Sequence, residues 1–164
     1  MAYQLQSMLK IRGMRQDRAQ TELAGARVAR AAAERVMEEK KETLAKYEET
    51  KEERRDAAFD TVMGRVVSMD EIDSVRSAVA RIDEEGILLE EAEHKAEDEF
   101  QTKDREAEGA RVRFVAATKD KAKIDEHRKA WEEEDRKLQE MLADAEMEEF
   151  TGRKMTSDDD DTFD

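Results

Sequence analysis

From Val75, steps of seven residues reach Ile82, Leu89, Ala96, Lys103, Ala110, Ala117, Ile124, Trp131, Leu138 and Ala145, a row broken by one charge. A second row starts at Ile72 and runs through Val79, Gly86, Glu93, Phe100, Ala107, Phe114, Lys121, Arg128 and Asp135 to Leu142. It is more mixed. Rows three and four residues apart merge into one stripe on an α-helix, and a strict seven-residue repeat implies left-handed supercoiling against a partner helix. The spacing predicts a helix over 69–150.

The stretch "GRVVSMDEID", residues 64–73, interrupts the pattern. In "SMDE" the Ser68 hydroxyl is placed to accept from the Glu71 amide while the Glu71 carboxylate reaches back to the Ser68 amide, the reciprocal capping box of a helix start. Val67 before the cap and Ile72 after it are spaced as a hydrophobic staple, and Asp70 complements the helix dipole. Gly64 is the natural terminator of the preceding helix, through its access to positive φ. A turn is therefore predicted over 64–68. Helices joined so briefly pack antiparallel.

Before the turn the seam is weaker. One row carries Leu9, Leu23, Met37, Leu44 and Ala58, interrupted by Gln16, Arg30 and Lys51; the other carries Leu5, Ala19, Ala26, Ala33 and Tyr47, interrupted by Arg12, Lys40, Arg54 and Thr61. Lys and Arg stems still cover apolar surface while their heads stay in water. A first helix is predicted over 3–66. The fold class is thus all-α, a long antiparallel two-helix coiled-coil hairpin over 1–152, about 90–100 Å long at 1.5 Å rise per residue.

Pairing about the turn sets residue i opposite residue 135 − i, so that Ile11 faces Ile124 and Gln4 faces Trp131. Beyond Trp131 the second helix runs on without an intrachain partner, carrying Leu138, Met141, Leu142, Ala145, Met147 and Phe150. An unpaired apolar stripe marks a surface for a partner or for self-association.

Composition agrees with long helices. Of 164 residues 45% are charged, 38% hydrophobic and 5% aromatic, with no Pro and no Cys. Such a chain suits a narrow seam better than a globular enzyme core. The net charge of −14 is polarised: residues 1–41 hold nine basic against five acidic side chains, and residues 132–164 hold fourteen acidic against four basic. Most of this surface repels nucleic acid, and the basic stretch lacks the aromatics that stack on bases, so nucleic acid is not an expected partner. No apolar run is long enough to span a bilayer, and the N-terminus lacks the apolar core of a signal peptide.

The chemistry-bearing residues are sparse. His94 and His127 are far apart and have no cysteine nearby, so neither a metal nor a catalytic role is assigned, and no cofactor is expected. Phosphate-loop, nucleophile-elbow and zinc patterns are missing. The acidic runs read as solvated helix faces. Met141, Met147 and Met155 suit either gap-filling or an adaptable interface. Trp131 reads either as a knob in the seam or as an anchor at a binding end. The stretch 153–164, ending in "TSDDDDTFD", is expected to be a disordered acidic tail.

The opening "YQLQSMLKIRGMRQDRAQTELAGARVARAAAERV", the mid-chain break and the closing "EHRKAWEEEDRKLQEMLADAEMEEF" resemble the YscO-like proteins of type III secretion systems, relatives of the flagellar FliJ protein. The likeness spans nearly the whole layout and is specific in the Leu5, Leu9, Ile11, Arg12 start and the His127, Trp131, Glu134 region; the long acidic tail departs from it. The resemblance implies a non-catalytic, stalk-like hairpin at the cytoplasmic base of the secretion machine, peripheral to the bacterial inner membrane and not inserted in it. Its implied partners are the hexameric secretion ATPase, whose pore residues 3–35 and 110–150 would enter or abut, the cytoplasmic domain of the export gate, and export chaperones. The expected partner-binding residues are Leu5, Leu9, Ile11, Arg12 and Arg15 on the first helix and Trp131, Leu138, Met141 and Leu142 on the second. The alternative is a structural spacer or scaffold that dimerises through its C-terminal overhang.

Overall fold

The computed structural model describes residues 3–158, and the side chains of residues 3–149. It is an all-α hairpin of two helices, α1 (Gln6–Asp60) and α2 (Met69–Asp158). By internal packing the chain falls into two units: Met1–Ala19 with Phe114–Asp164, and Gln20–Arg113.

The second unit contains the turn. Ser68 N donates to Glu71 Oε2 at 2.8 Å and Glu71 N to Ser68 Oγ at 3.3 Å, closing the predicted capping box. The Ser68 amide, then its hydroxyl, and the Arg65 guanidinium hold the Glu71 carboxyl below the usual carboxylate range. Gly64 takes a φ of 75°, the conformation foreseen for it.

The first helix ends earlier than predicted, at Asp60 rather than 66, so the turn spans 61–68. Hydrogen bonding explains the difference. Thr61 Oγ1 donates to the Ala58 carbonyl at 2.7 Å, Val62 N bonds Phe59 O in a tightened turn, and Arg65 Nε caps the Thr61 carbonyl at 2.9 Å. Side chains thus satisfy the carbonyls of the last turn and release the chain before the glycine. At the other end α2 runs to Asp158, eight residues past its predicted end. Residues 159–164 of the expected tail, and the side chains of Phe150 and Met155, lie outside the described residues.

Within the Gln20–Arg113 unit the buried side chains are those of the predicted rows: Leu23, Ala33, Met37 and Tyr47 on α1, and Val75, Ile82, Ala96, Ala107 and Ala110 on α2. The register follows the expected one to within about a turn of helix, about four residues. Arg113 lies 3.7 Å from Glu22, Arg30 2.5 Å from Asp104, and Arg54 2.6 Å from Glu85. The charged interruptions are accommodated. The Arg30 guanidinium lies over the Phe100 ring at 5.6 Å, and the Lys51 ammonium and Arg54 guanidinium lie over Tyr47 at 5.8 and 5.7 Å, while Arg30 and Arg54 also reach Asp104 and Glu85.

Tyr47 is the largest side chain in this core. Its hydroxyl donates to the Ile82 carbonyl, and its ring lies on Gly86, where an added Cβ would meet the phenol oxygen at 2.8 Å. Glycine is needed there for close approach. Gly86 sits on the seam row, so the break in that row is the socket for Tyr47.

Candidate partner-binding site

Every residue expected to contact a partner falls in the other unit, made of Met1–Ala19 and Phe114–Asp164. Its core is small: Ala19 and Ile124 are buried, with Leu5, Leu9, Gln16, Ala117 and Trp131 half-buried. Polar contacts fix the register. Arg12 Nη1 donates to the Asp120 carbonyl at 2.8 Å with the Asp120 carboxylate 3.9 Å away, and Gln16 Nε2 donates to Thr118 Oγ1 at 3.4 Å. A cleft of about 150 Å³ lies between Arg12, Arg15, Ala117 and Asp120.

At the end of this pairing Tyr3 joins two residues of α2. Its ring is tilted against Trp131 at 5.4 Å and against His127 at 5.9 Å, and its hydroxyl lies 3.0 Å from His127 Nδ1. Trp131 is therefore half-buried in the pairing and keeps one side open. His127, which spacing gave no role, acts as the polar partner of Tyr3.

Beyond this level α2 changes character. Leu138, Met141 and Leu142 are 44%, 69% and 56% exposed, and every described side chain from Arg136 to Glu149 is exposed. Leu138, Leu142 and Ala145 continue the two rows that are buried further back on the same helix. Acids flank them, with Glu132, Glu133, Glu134, Asp135, Glu140, Asp144, Glu146, Glu148 and Glu149 against Arg136 and Lys137.

One expected contact residue stands elsewhere than its register suggests. Opposition at 135 − i sets the backbone of Ile11 level with Ile124, but the Ile11 side chain points outward and is 49% exposed while Ile124 is buried. Arg12, one residue on, turns inward instead. Leu5, Leu9 and Arg12 are thus half-buried in the pairing, whereas Ile11 and Arg15 face solvent. In the Gln20–Arg113 unit, Glu93, His94 and Glu97 bring donor atoms within 4.8 Å of one another, but His94 is exposed and carboxylates crowd this whole chain.

The family model described as type III secretion protein YscO matches residues 5–153. That range takes in both helices, the turn and the exposed stripe. The chain belongs to the YscO family. It is accordingly a protein associated with type III secretion, and among its described residues no helix is long and apolar enough to cross a membrane. No curated protein and no solved structure matches it. The match begins at Leu5 and ends beyond the stripe, so for this YscO-family chain the candidate site lies inside the family region.

Proposed function

We propose that this chain is a non-catalytic stalk component of a type III secretion apparatus that binds the hexameric secretion ATPase. On this reading it acts at the cytoplasmic face of the inner membrane and also engages the export gate or export chaperones. The observation that carries the proposal is the exposed stripe of Leu138, Met141 and Leu142, since the rows through Leu138 and Leu142 are buried or half-buried from Val75 to Trp131. Membership of a secretion family supplies the class of partner.

The contact residues fall into two groups. Leu138, Met141 and Leu142 present apolar surface for docking, with Trp131 at its inner edge; Ile11 and Arg15 present a mixed apolar and basic face on α1. Leu5, Leu9 and Arg12 hold the two helices in register and so position both faces. A carboxylate-rich, narrow apolar surface gives contacts with a strong ionic component, which salt screens. Such contacts exchange readily, as a part moving among the subunits of a ring requires.

Pull-down with the hexameric secretion ATPase tests the reading. Leu138→Asp and Leu142→Asp place a charge on the stripe without entering the core, and each is expected to abolish retention that the wild type shows. Normal retention of both variants would overturn the site assignment.

A further inference from the structure

The stripe on α2 has a counterpart on α1. Ile11 and Met14 are 49% and 62% exposed, and with Ser7 and Arg18 they fall at three- and four-residue spacing on a line facing away from the pairing. Met8 adds exposed apolar surface beside them. Lys10 and Arg15, both exposed, border this line. The α2 stripe is bordered by Glu134 and Glu146, also exposed. One surface is narrow, apolar and basic; the other is narrow, apolar and acidic.

Charge decides what each can cover. Two α2 stripes laid together would set acid against acid, which opposes dimerisation through the overhangs themselves. An α2 stripe laid on an α1 outer face sets its acids against Lys10, Arg15 and Arg18, with Asp17 the one acid on the α1 side.

Position then decides how two copies meet. In a two-fold dimer a patch and its complement lie equally far from the axis, on opposite sides. The Tyr3 and Trp131 rings, 5.4 Å apart, mark a level shared by both helices. At 1.5 Å per residue, Met14 lies about 16 Å to one side of that level and Leu142 about 16 Å to the other. A two-fold axis at this level brings Met14 of one copy to Leu142 of the second, and the same contact recurs in reverse.

We infer that a second copy of this chain covers the stripe, with the α2 segment around Leu138–Ala145 of each copy lying on the α1 outer face around Ile11 and Met14 of the other. The contact is isologous and closes on itself, so it yields a dimer and not a filament. It does not depend on the secretion reading. It does cover the surface proposed for the ATPase, so self-pairing and ATPase binding exclude each other, and the dimer is the form that protects the apolar stripe away from the apparatus.

Sedimentation equilibrium of the full chain tests this at concentrations up to about 100 µM, where even a weak contact populates the dimer. The wild type is expected to dimerise, with a Kd that weakens about tenfold or more between about 0.05 M and about 0.5 M salt. Lys10→Glu with Arg15→Glu reverses the two bases bordering the α1 line, and Glu134→Lys with Glu146→Lys reverses the two acids bordering the α2 stripe. Each double variant alone should weaken dimerisation at least about tenfold, and an equimolar mixture should restore it, because unlike surfaces then meet. A monomeric wild type, a variant that dimerises normally, or a mixture that stays monomeric would each overturn the pairing. Disulfide trapping gives a second readout in a chain that lacks cysteine. Met14→Cys and Leu142→Cys lie about 33 Å apart along one molecule, far outside disulfide reach, so mild oxidation of the double variant should give only covalent dimers. Failure to cross-link would count equally against it.

Discussion

Gly86→Ala gives the sharpest test of how the seam is packed. In the interior of a helix this change is ordinarily favourable by about 1 kcal/mol, since alanine loses less backbone freedom on folding. Here the new Cβ would meet Tyr47 at the phenol oxygen (2.8 Å), Cε1 (2.9 Å) and Cζ (3.1 Å). Those approaches are too short to keep, and the ring cannot simply swing aside. Tyr47 is 5% exposed, its hydroxyl is tied to the Ile82 carbonyl, and Lys51 and Arg54 lie over its face. Overpacking of this kind costs about 1–3 kcal/mol, and displacing the hydroxyl adds about 1 kcal/mol for the hydrogen bond. Set against the helix gain, the net effect is a loss of about 1–3 kcal/mol. With an m-value of about 2 kcal/mol/M, the urea midpoint followed by circular dichroism should fall by about 0.5–1.5 M. In a Tyr47→Leu background the obstacle is gone, so the same change should become stabilising by about 0.5–1 kcal/mol. A gain in stability from Gly86→Ala in the wild-type background would refute the socket reading.

Three further outcomes follow from the same geometry. Ser68→Ala removes the hydroxyl that accepts from the Glu71 amide and should cost about 1 kcal/mol in urea denaturation. The Glu71, Glu85 and Glu108 carboxyls are held below the usual range, by the Ser68 amide, the Arg54 guanidinium and the Arg111 guanidinium in turn, so the stability they add is present above that range and lost as pH falls through their lowered values. The thermal midpoint should therefore drop as the pH is taken below about 4, and Glu71→Gln should flatten that drop. Leu138→Asp should leave the unfolding free energy from urea denaturation within about 0.5 kcal/mol of wild type, because the side chain it replaces is exposed; a large loss would show that the stripe is packed within the chain.

Much of the fold was legible in the sequence because its signals are local or periodic. The capping box at Ser68 and Glu71 needs only four residues, and Gly64 needs only its own φ. The rows through Val75, Ile82, Ala96, Ala110 and Ile124 hold their seven-residue spacing, and all five side chains are buried. The change at Leu138 was visible for the same reason: pairing about the turn exhausts α1 near Trp131.

What escaped the reading depends on how each helix is rotated and on which atoms meet. Ile11 was set by number opposite Ile124, but opposition fixes the height of a residue and not the direction of its side chain. The early end of α1 turns on the Thr61 hydroxyl and the Arg65 guanidinium, which compete for carbonyls the pattern assigned to a continuing helix. Gly86 stood in the mixed row without a role, because a missing side chain carries no sign of the ring that fills its place. Spacing gave His127 no role either, since its partner Tyr3 is 124 positions away.

In the hairpin α1 folds back along α2 to the level of Trp131, and the stripe beyond that level is exposed. Spin labels at Ile11→Cys and Lys123→Cys, with excess unlabelled chain and high salt to suppress contacts between copies, test it directly. The hairpin predicts one narrow distance population of about 20 Å, two adjacent helices plus label arms, and one of about 35 Å for a second pair at Ile11→Cys and Leu142→Cys, because the added rise of about 28 Å runs at right angles to that separation. A first distance well beyond about 35 Å, or a second no longer than the first, would contradict the account.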